Sequence, residues 1–427
     1  MILNNYINEI ISGDSAIRSV FEWGDRLKKE GKNPINLSIG NPDIKPPEEY
    51  YNVLEQVLNE SRASLTNPHG YMSNSGYFGT KKRIASNLTN LIGIKFEQEQ
   101  IFMTAGAANG LDVLLKTLIE PVIYFCNGIP GLRKDVLTNR GSLALDEIIT
   151  IAPYFVEYGN YIKSNQGKQI VVYSDEKFEL DITGIEKEIT EKTRAVILNS
   201  PNNPTGALYS NDKLMRLAKI LEHKNREFGI TIAVIEDASY GEILFEGNRL
   251  SSILPVYRYS FYVGSFSKSL GLAGERIGYI AVHPEIKDSI SEWQILQSAL
   301  TINLRIRVVN APALQQRIIE KISPSIKVNV REYEQRVNRL ADTLERLGFT
   351  FERPKGGFYI FAEIPVIFKC EEDFRKAAQD GDQPLLYIPG RAFGGKKYER
   401  YIRLSACVNN EDIERACNKL VKICEKR

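Results

Sequence analysis

Six short apolar runs punctuate the middle of the chain: "QIFMT", "EIITIAP", "KQIVVYS", "RAVILNSP", "TIAVIED" and "SFYVGSF". They are rich in Ile and Val and show almost no polar alternation. A strand with one wet face alternates apolar and polar residues, so continuous runs predict strands covered on both faces. Between them lie stretches whose apolar residues return every three or four positions, the helical period. Strand and helix alternating in this way predict a mostly parallel α/β sheet sandwiched by helices, over about residues 61–310.

The pattern changes at both ends. "DSAIRSVFEWGDRLKKEG" (14–31) reads as an amphipathic helix stopped by a glycine, and "INLSIGNPD" as a short strand and turn. After about residue 310, charge-patterned helical stretches surround the strands "GGFYIFAEI" and "YERYIRLSACV". This predicts a smaller α+β domain at 311–427, with the N-terminal segment 1–60 packing on it. One stretch breaks the rhythm. Residues 121–145, "PVIYFCNGIPGLRKDVLTNRGSLAL", are longer than an ordinary helix-to-strand connection and read as an extra hairpin or a flap.

Composition narrows the function classes. At 427 residues, two domains are the natural expectation. Acidic residues (53) and basic residues (55) nearly cancel, which leaves no broad basic field for nucleic acid. "MILNNYINEIISGDS" is a poor signal peptide, and no apolar run approaches the roughly 18–20 residues of a membrane span. The five cysteines form no CxxC pair and the three histidines are scattered, so no metal site is expected. A cytoplasmic compartment with free thiols follows. Cys417 and Cys424 fall seven apart, on one face of a last helix.

Chemistry-bearing residues gather just past the strand-like runs, on the edge where open α/β sheets bind ligands. "TAGAANGL" (104–111) places Gly106, Ala107 and Ala108 at a helix start, where backbone N–H groups can approach an anion. "APYFVEYGNY" supplies Tyr154 or Phe155 to stack on a planar ring. "NSPNNPTG" forms a rigid loop, with Asn202 or Asn203 presenting an amide. Asp237 ends the very apolar run "TIAVIED"; a carboxylate there needs a partner, and Tyr240 is three residues on. "SFSKSLGLAGERIGY" sets Lys268 among serines, with Ser265, Ser267 and Arg276 suited to a dianionic phosphate.

These stretches, in this order, resemble the class I/II aminotransferase family, which uses pyridoxal 5′-phosphate (PLP). So do "GYMSNSGYFGTKKRIA", "NAPALQQ", "PKGGFYIF", "YIPGRAFG" and "YIRLSA", and the likeness runs through nearly the whole chain. The resemblance implies the aspartate-aminotransferase-like fold, with a seven-stranded large domain, and transfer of an amino group from an L-amino acid to a 2-oxo acid. Lys268 would form the Schiff base with PLP and shuttle the proton. Asp237 would pair with the ring nitrogen, Asn203 and Tyr240 would bond its phenolic oxygen, and Phe155 would stack on it. Gly106, Ala107, Ala108, Ser265, Ser267 and Arg276 would hold the phosphate.

On the same basis Arg403 would clamp the substrate carboxylate, and Gly40 would lie over the substrate where a side chain would collide. Tyr71 would reach the phosphate of a neighbouring subunit, implying a homodimer. The Asn203–Pro204 bond is expected to be cis. The scaffold also serves lyases, decarboxylases, oxidases and cyclases of amino acids. A PLP-sensing regulator would need a DNA-binding extension for which the N-terminal segment has little room. Two departures stand out: Thr80-Lys81 replaces the family's usual Leu-Arg, and the insertion at 121–145 is placed to narrow substrate choice. Arg305 and Arg307 are read as structural or phosphate-binding, with a second substrate carboxylate as the other option.

Overall fold

The computed structural model describes residues 16–425 except 64, 66, 68, 122, 127–128, 133–144 and 289. Seven strands build the main sheet: β1 (Ile101–Thr104), β2 (Glu147–Ala152), β3 (Lys168–Tyr173), β4 (Thr193–Asn199), β5 (Ala233–Asp237), β6 (Ser260–Ser265) and β7 (Gly278–Val282). Their order is β1-β7-β6-β5-β4-β2-β3, and only β7 runs antiparallel to its neighbours. The six apolar runs are β1 to β6. The seventh strand follows the glycine-rich turn after Lys268 and was not separable from it by pattern.

The continuous apolar character has a direct cause. Successive residues of a strand point to opposite faces. Ile101, Met103, Val196, Leu198 and Val234 enter one core, and their neighbours Phe102, Ala195, Ile197, Ala233 and Ile235 enter another. Both faces are therefore dry, and a polar residue that the central strands do carry is held by internal bonds, as Glu236 is by the Ser252 hydroxyl and the Ile253 N–H. Helix Asn211–Phe228 shows how the covering layer is specified. Ser210 caps its start, Gly229 ends it at φ +64°, and Leu214, Leu217, Ala218 and Leu221 form its buried stripe.

The C-terminal part has its own sheet, in which strand Tyr401–Ser405 lies between Tyr359–Glu363 and Ile388–Pro389, all antiparallel. Helices Val330–Arg346 and Asn410–Glu425 cover it through Val337, Leu340, Cys417 and Leu420. Cys424 packs partly buried against the same core. The N-terminal strand Ile35–Asn36 pairs in parallel with Leu385–Leu386, and Ile35 and Leu37 share this core. Helices Glu48–Arg62 and Ala313–Lys321 instead insert Tyr50, Val53, Val57, Ile318 and Ile319 beside Ile84 and Leu88, in a core of the main sheet.

Within the insertion, Ile123–Cys126 and Ile129–Leu132 pair as an antiparallel hairpin. This is the first of the two forms expected for it; residues 133–144 and the side chains of Tyr124, Phe125 and Arg133 lie outside the described residues. The expected cis bond is corrected: cis peptides occur at Ala152–Pro153 and Ser200–Pro201, whereas Asn203–Pro204 is trans. The loop offers two X-Pro bonds with the same small intrinsic preference, so local sequence cannot choose between them.

Candidate active site

Because β1, β2, β4, β5 and β6 run the same way, their carboxyl ends share one edge. There the side chains turn from Ile and Val to Asn199, Asp237 and Ser265, and a cavity of about 360 Å³ opens. Every residue to which the family resemblance gives a cofactor or substrate role lines it, except Gly106 and Tyr71. Gly106 sits directly behind the Arg276 guanidinium. Tyr71 is 90% exposed on this protomer's surface.

Lys268 sits on a single helical turn, Phe266–Ser269, whose start is capped when Ser265 Oγ accepts the Ser267 N–H at 3.1 Å. Its Nζ donates to the Gly40 carbonyl at 2.7 Å and lies 5.4 Å from the Phe358 ring and 6.0 Å from the Tyr240 ring. Burial lowers its pKa to about 8, opposed by Cys407 and assisted by the nearby cations Arg276 and Arg403. An amine with that midpoint is roughly one-tenth neutral at pH 7, against well under one in a thousand for an ordinary lysine.

Asp237 is 5% exposed. Oδ1 accepts from the Ser239 hydroxyl (2.6 Å) and N–H (3.1 Å), and Oδ2 accepts from the Tyr158 hydroxyl (2.6 Å). Burial raises its pKa, those bonds pull it back, and no cation contributes. The expectation that Tyr240 partners Asp237 is therefore corrected. Three-residue spacing brings side chains together on a helix, but the chain turns after Asp237, with Gly241 N–H bonded to Ala238. Tyr240 lines the cavity away from the Asp237 carboxylate, its ring edge to face on Phe358 and its hydroxyl 3.2 Å from that of Tyr359.

At one end of the cavity, Gly106 (φ +81°) opens helix Ala107–Leu118. The positive φ favours glycine here, and a Cβ, 2.5 Å from an Arg276 guanidinium nitrogen, would displace that guanidinium from the phosphate-binding end. Arg276 is itself held at φ +53°, with its guanidinium fastened to the Ala273 carbonyl at 2.7 Å. The Ser265 hydroxyl donates to that of Ser267 at 2.9 Å. A guanidinium, two hydroxyls and a helix N-terminus converge here, a donor set for a dianion.

At the other end Arg403, 1% exposed, donates to Asn203 Oδ1 (3.1 Å) and the Ser38 carbonyl (2.5 Å). Its guanidinium carbon lies 4.4 Å from the Tyr359 ring centre and 5.1 Å from that of Phe393, while its Nε has no partner. This is a buried cation without a carboxylate. Asn199 ties the two loops together: its amide donates to the Asp237 carbonyl (2.8 Å) and accepts the Asn203 N–H (2.7 Å). Asn202, by contrast, shapes the turn by accepting from Thr205. Phe155, not Tyr154, faces the cavity. Gly40 lines the cavity, and a Cβ there would also meet Tyr359 Oη at 1.6 Å, a collision with the protein itself.

Arg307 does not reach the cavity; it pairs with Asp112 and donates to Asn165 at 3.1 Å. Arg305 is exposed on the same helix. At the departure Thr80-Lys81, Thr80 is buried and bonds the Gln316 carbonyl at 2.9 Å, a packing role. Sequence reasoning missed Tyr158, Ser239, Asn199 and Tyr359. Tyr158 carried a usable signal, since it follows Phe155 by three residues, and the two rings meet edge to face at 5.6 Å.

A family model for aminotransferase class I and II matches residues 32–420. A probable aspartate aminotransferase of Methanocaldococcus jannaschii is 27% identical over 414 residues, 96% of this chain and 97% of that protein. Aromatic-amino-acid aminotransferase 2 of Thermococcus litoralis is 26% identical over 97% of this chain and 96% of its own length. Among solved structures, an amino transferase from Eubacterium rectale is 30% identical with a TM-score of 0.85, covering 100% of this chain and 99% of its own. An aspartate aminotransferase of Thermus thermophilus, solved with maleate, has a TM-score of 0.78 over 96% of this chain and 97% of its own; at 21% identity it bears on the fold alone. The chain thus belongs to the class I and II aminotransferases, enzymes that move an amino group from an amino acid to a 2-oxo acid.

Proposed function

We propose that the cavity binds PLP and an L-amino acid together and performs transamination on Lys268. The observation that carries this reading is one cavity holding a lysine shifted toward its neutral form and a buried carboxylate with no cation. The fit to PLP rests on three features of the protein. Asp237 is a buried carboxylate suited to a ring N–H, Arg276 with Ser265, Ser267 and a helix N-terminus is a donor set for a dianion, and Arg403, whose Nε has no partner, suits a carboxylate. When bound, PLP supplies an aldehyde for the lysine amine and an electron-withdrawing ring that stabilises negative charge at the amino-acid Cα.

The protein's own residues do the rest. Asp237 holds a proton on the ring nitrogen, and Tyr158 and Ser239 hold Asp237 in place. Arg276, Ser265, Ser267 and the N–H groups after Gly106, at Ala107 and Ala108, bind the phosphate. Phe155 covers the ring, and Asn203 and Tyr240 bond its phenolic oxygen. Arg403 orients the α-carboxylate by a charge-assisted pair. Lys268 Nζ takes the Cα proton and returns it, a task that needs a neutral amine near neutral pH.

A homodimer is part of this reading. Ile295, Ile302 and Ile306 leave an exposed apolar stripe on helix Ile290–Val308, and Tyr71 (90%) and Phe78 (64%) are exposed as well. Tyr71 would serve the partner's phosphate site. Core membership supports a division into a large body and a smaller one. Segments 48–62 and 313–321 share a core with the main sheet, which supports grouping them with the large body. Among the described residues no helix is long and apolar enough to cross a membrane. A cytoplasmic location fits the cysteine pattern.

The deciding experiment is an absorbance spectrum of the protein with PLP, titrated with each common amino acid and no oxo acid. One conversion of the visible band, reversed by a 2-oxo acid, establishes transamination and names the donor. Product accumulating while the band persists would point to another PLP reaction. The Lys268 shift gives a pH test on the apoprotein. Protonated amine cannot attack an aldehyde, so the rate of PLP capture should rise about tenfold per pH unit below 8 and level off above it. Stopped-flow absorbance measures it; a rise continuing beyond pH 10 would show an ordinary lysine.

A further inference from the structure

We propose that Tyr359 is a positioning residue with two separable duties: its ring fixes the plane of the Arg403 guanidinium, and its hydroxyl directs the hydroxyl of Tyr240. The inference rests on the reading of Arg403 as the carboxylate clamp and of Tyr240 as a hydrogen-bond donor to the cofactor ring.

The sheet register creates the first duty. Phe361 lies opposite Arg403 and Tyr359 opposite Ser405, so Tyr359, Phe361 and Arg403 share one face. Tyr359 is one diagonal step from Arg403, within reach of a long side chain. Its ring lies 4.4 Å from the guanidinium carbon. The two hydrogen bonds to Asn203 and Ser38 anchor the nitrogens at two points, which still leaves rotation about the line joining them. A ring against the guanidinium face removes that freedom.

The second duty follows from proton counting. Tyr359 is 3% exposed, and its hydroxyl meets that of Tyr240 at 3.2 Å. Each hydroxyl has one proton to give. If Tyr359 donates to Tyr240, the Tyr240 proton is free to point into the cavity and its oxygen is polarised to donate more strongly. The backbone at Gly40 fixes where the Tyr359 hydroxyl sits, since not even a methyl group fits between them. The charged and titratable groups facing Tyr240 are Tyr359, Arg403, Cys407, Lys268 and Tyr158, and only the first changes in the two Tyr359 variants.

Tyr359→Phe and Tyr359→Leu separate the duties in the PLP-bound enzyme. The first readout is the dissociation constant of 3-phenylpropionate, a carboxylate that cannot react, measured by calorimetry. The second is the pH midpoint of the visible absorbance. Tyr359→Phe keeps the ring, so its dissociation constant should stay within about twofold of wild type. Tyr359→Leu should weaken binding about tenfold, the worth of a desolvated cation–π contact. Both should raise the pH midpoint, because a weaker donor to the chromophore's oxygen leaves its proton held more tightly.

Equal weakening by Phe and Leu, or none by Leu, overturns the platform. A midpoint unmoved in Tyr359→Phe overturns the hydroxyl duty. Tyr359→Met, closer in volume, replaces Leu should that variant not fold. Arg403→Gln separates this inference from its foundation. If it keeps wild-type affinity for 3-phenylpropionate, the reading of Arg403 is wrong and takes the platform with it.

Discussion

Lys268→Ala is expected to lower turnover by about 10⁴-fold or more, because it removes both the covalent attachment and the proton carrier. The visible band of lysine-bound PLP should vanish with it. The fold should survive. Lys268 Nζ donates to one carbonyl, and a partly buried ammonium costs free energy of desolvation that alanine does not. Melting temperature of the apoprotein should therefore stay level or rise slightly. Absorbance and circular dichroism on the same sample decide the matter. A band that persists in a folded variant would mean that another lysine holds the cofactor, and a lost fold would mean that Lys268 was structural.

How far this site was legible in the sequence differs between its two halves. The strand ends were readable because each follows a dry apolar run, so a polar residue at its close stands out: Asp237 and Ser265 are singled out there, while Asn199 holds the same position and is passed over for the loop asparagines after it. Lys268 and Arg276 were readable because small residues surround them. Tyr359 was not. It lies inside a strand in a sheet remote in sequence, and its neighbours Gly40, Tyr240 and Arg403 come from three other segments. No local period marks a residue whose role is set by the register of two strands and the approach of a distant loop.

The fold shows the same division. Local pattern located β1 to β6, since burial on both faces leaves its mark within a few residues. It could not isolate β7, whose antiparallel pairing with β1 and β6 is a matter of topology. Nor could it see that helix Glu48–Arg62 belongs with the main sheet while strand Ile35–Asn36, a dozen residues earlier, pairs with Leu385–Leu386. An amphipathic stripe announces that a helix is covered, not what covers it.

Asp237→Asn tests the electrostatic centre of the reading, and its effects on stability should oppose each other in the two forms of the protein. In the apoprotein, burial raises the Asp237 pKa, so the ionised carboxylate is a liability at neutral pH. A raised carboxylate pKa means the folded state binds its proton more tightly than the unfolded chain does. Stability is then lost as pH rises through that range, and asparagine, which never ionises, escapes the loss. Apo Asp237→Asn should melt at or above the wild-type temperature at neutral pH.

With PLP bound the sign reverses. On the proposed reading the carboxylate would gain a protonated ring nitrogen as its cation, a charge asparagine cannot supply. Truncating one member of a buried, hydrogen-bonded charge pair costs about 2–5 kcal/mol, which corresponds to a roughly 30- to 5,000-fold loss in PLP affinity or in the rate of Cα proton removal. Thermal shifts with and without PLP, together with the rate of Cα deuterium exchange, measure both halves. A variant that exchanges at near wild-type rate would show that the ring nitrogen is managed by another group. A variant that melts lower in the apoprotein would show that the bonds from Tyr158 and Ser239 to the carboxylate, rather than its burial, dominate there.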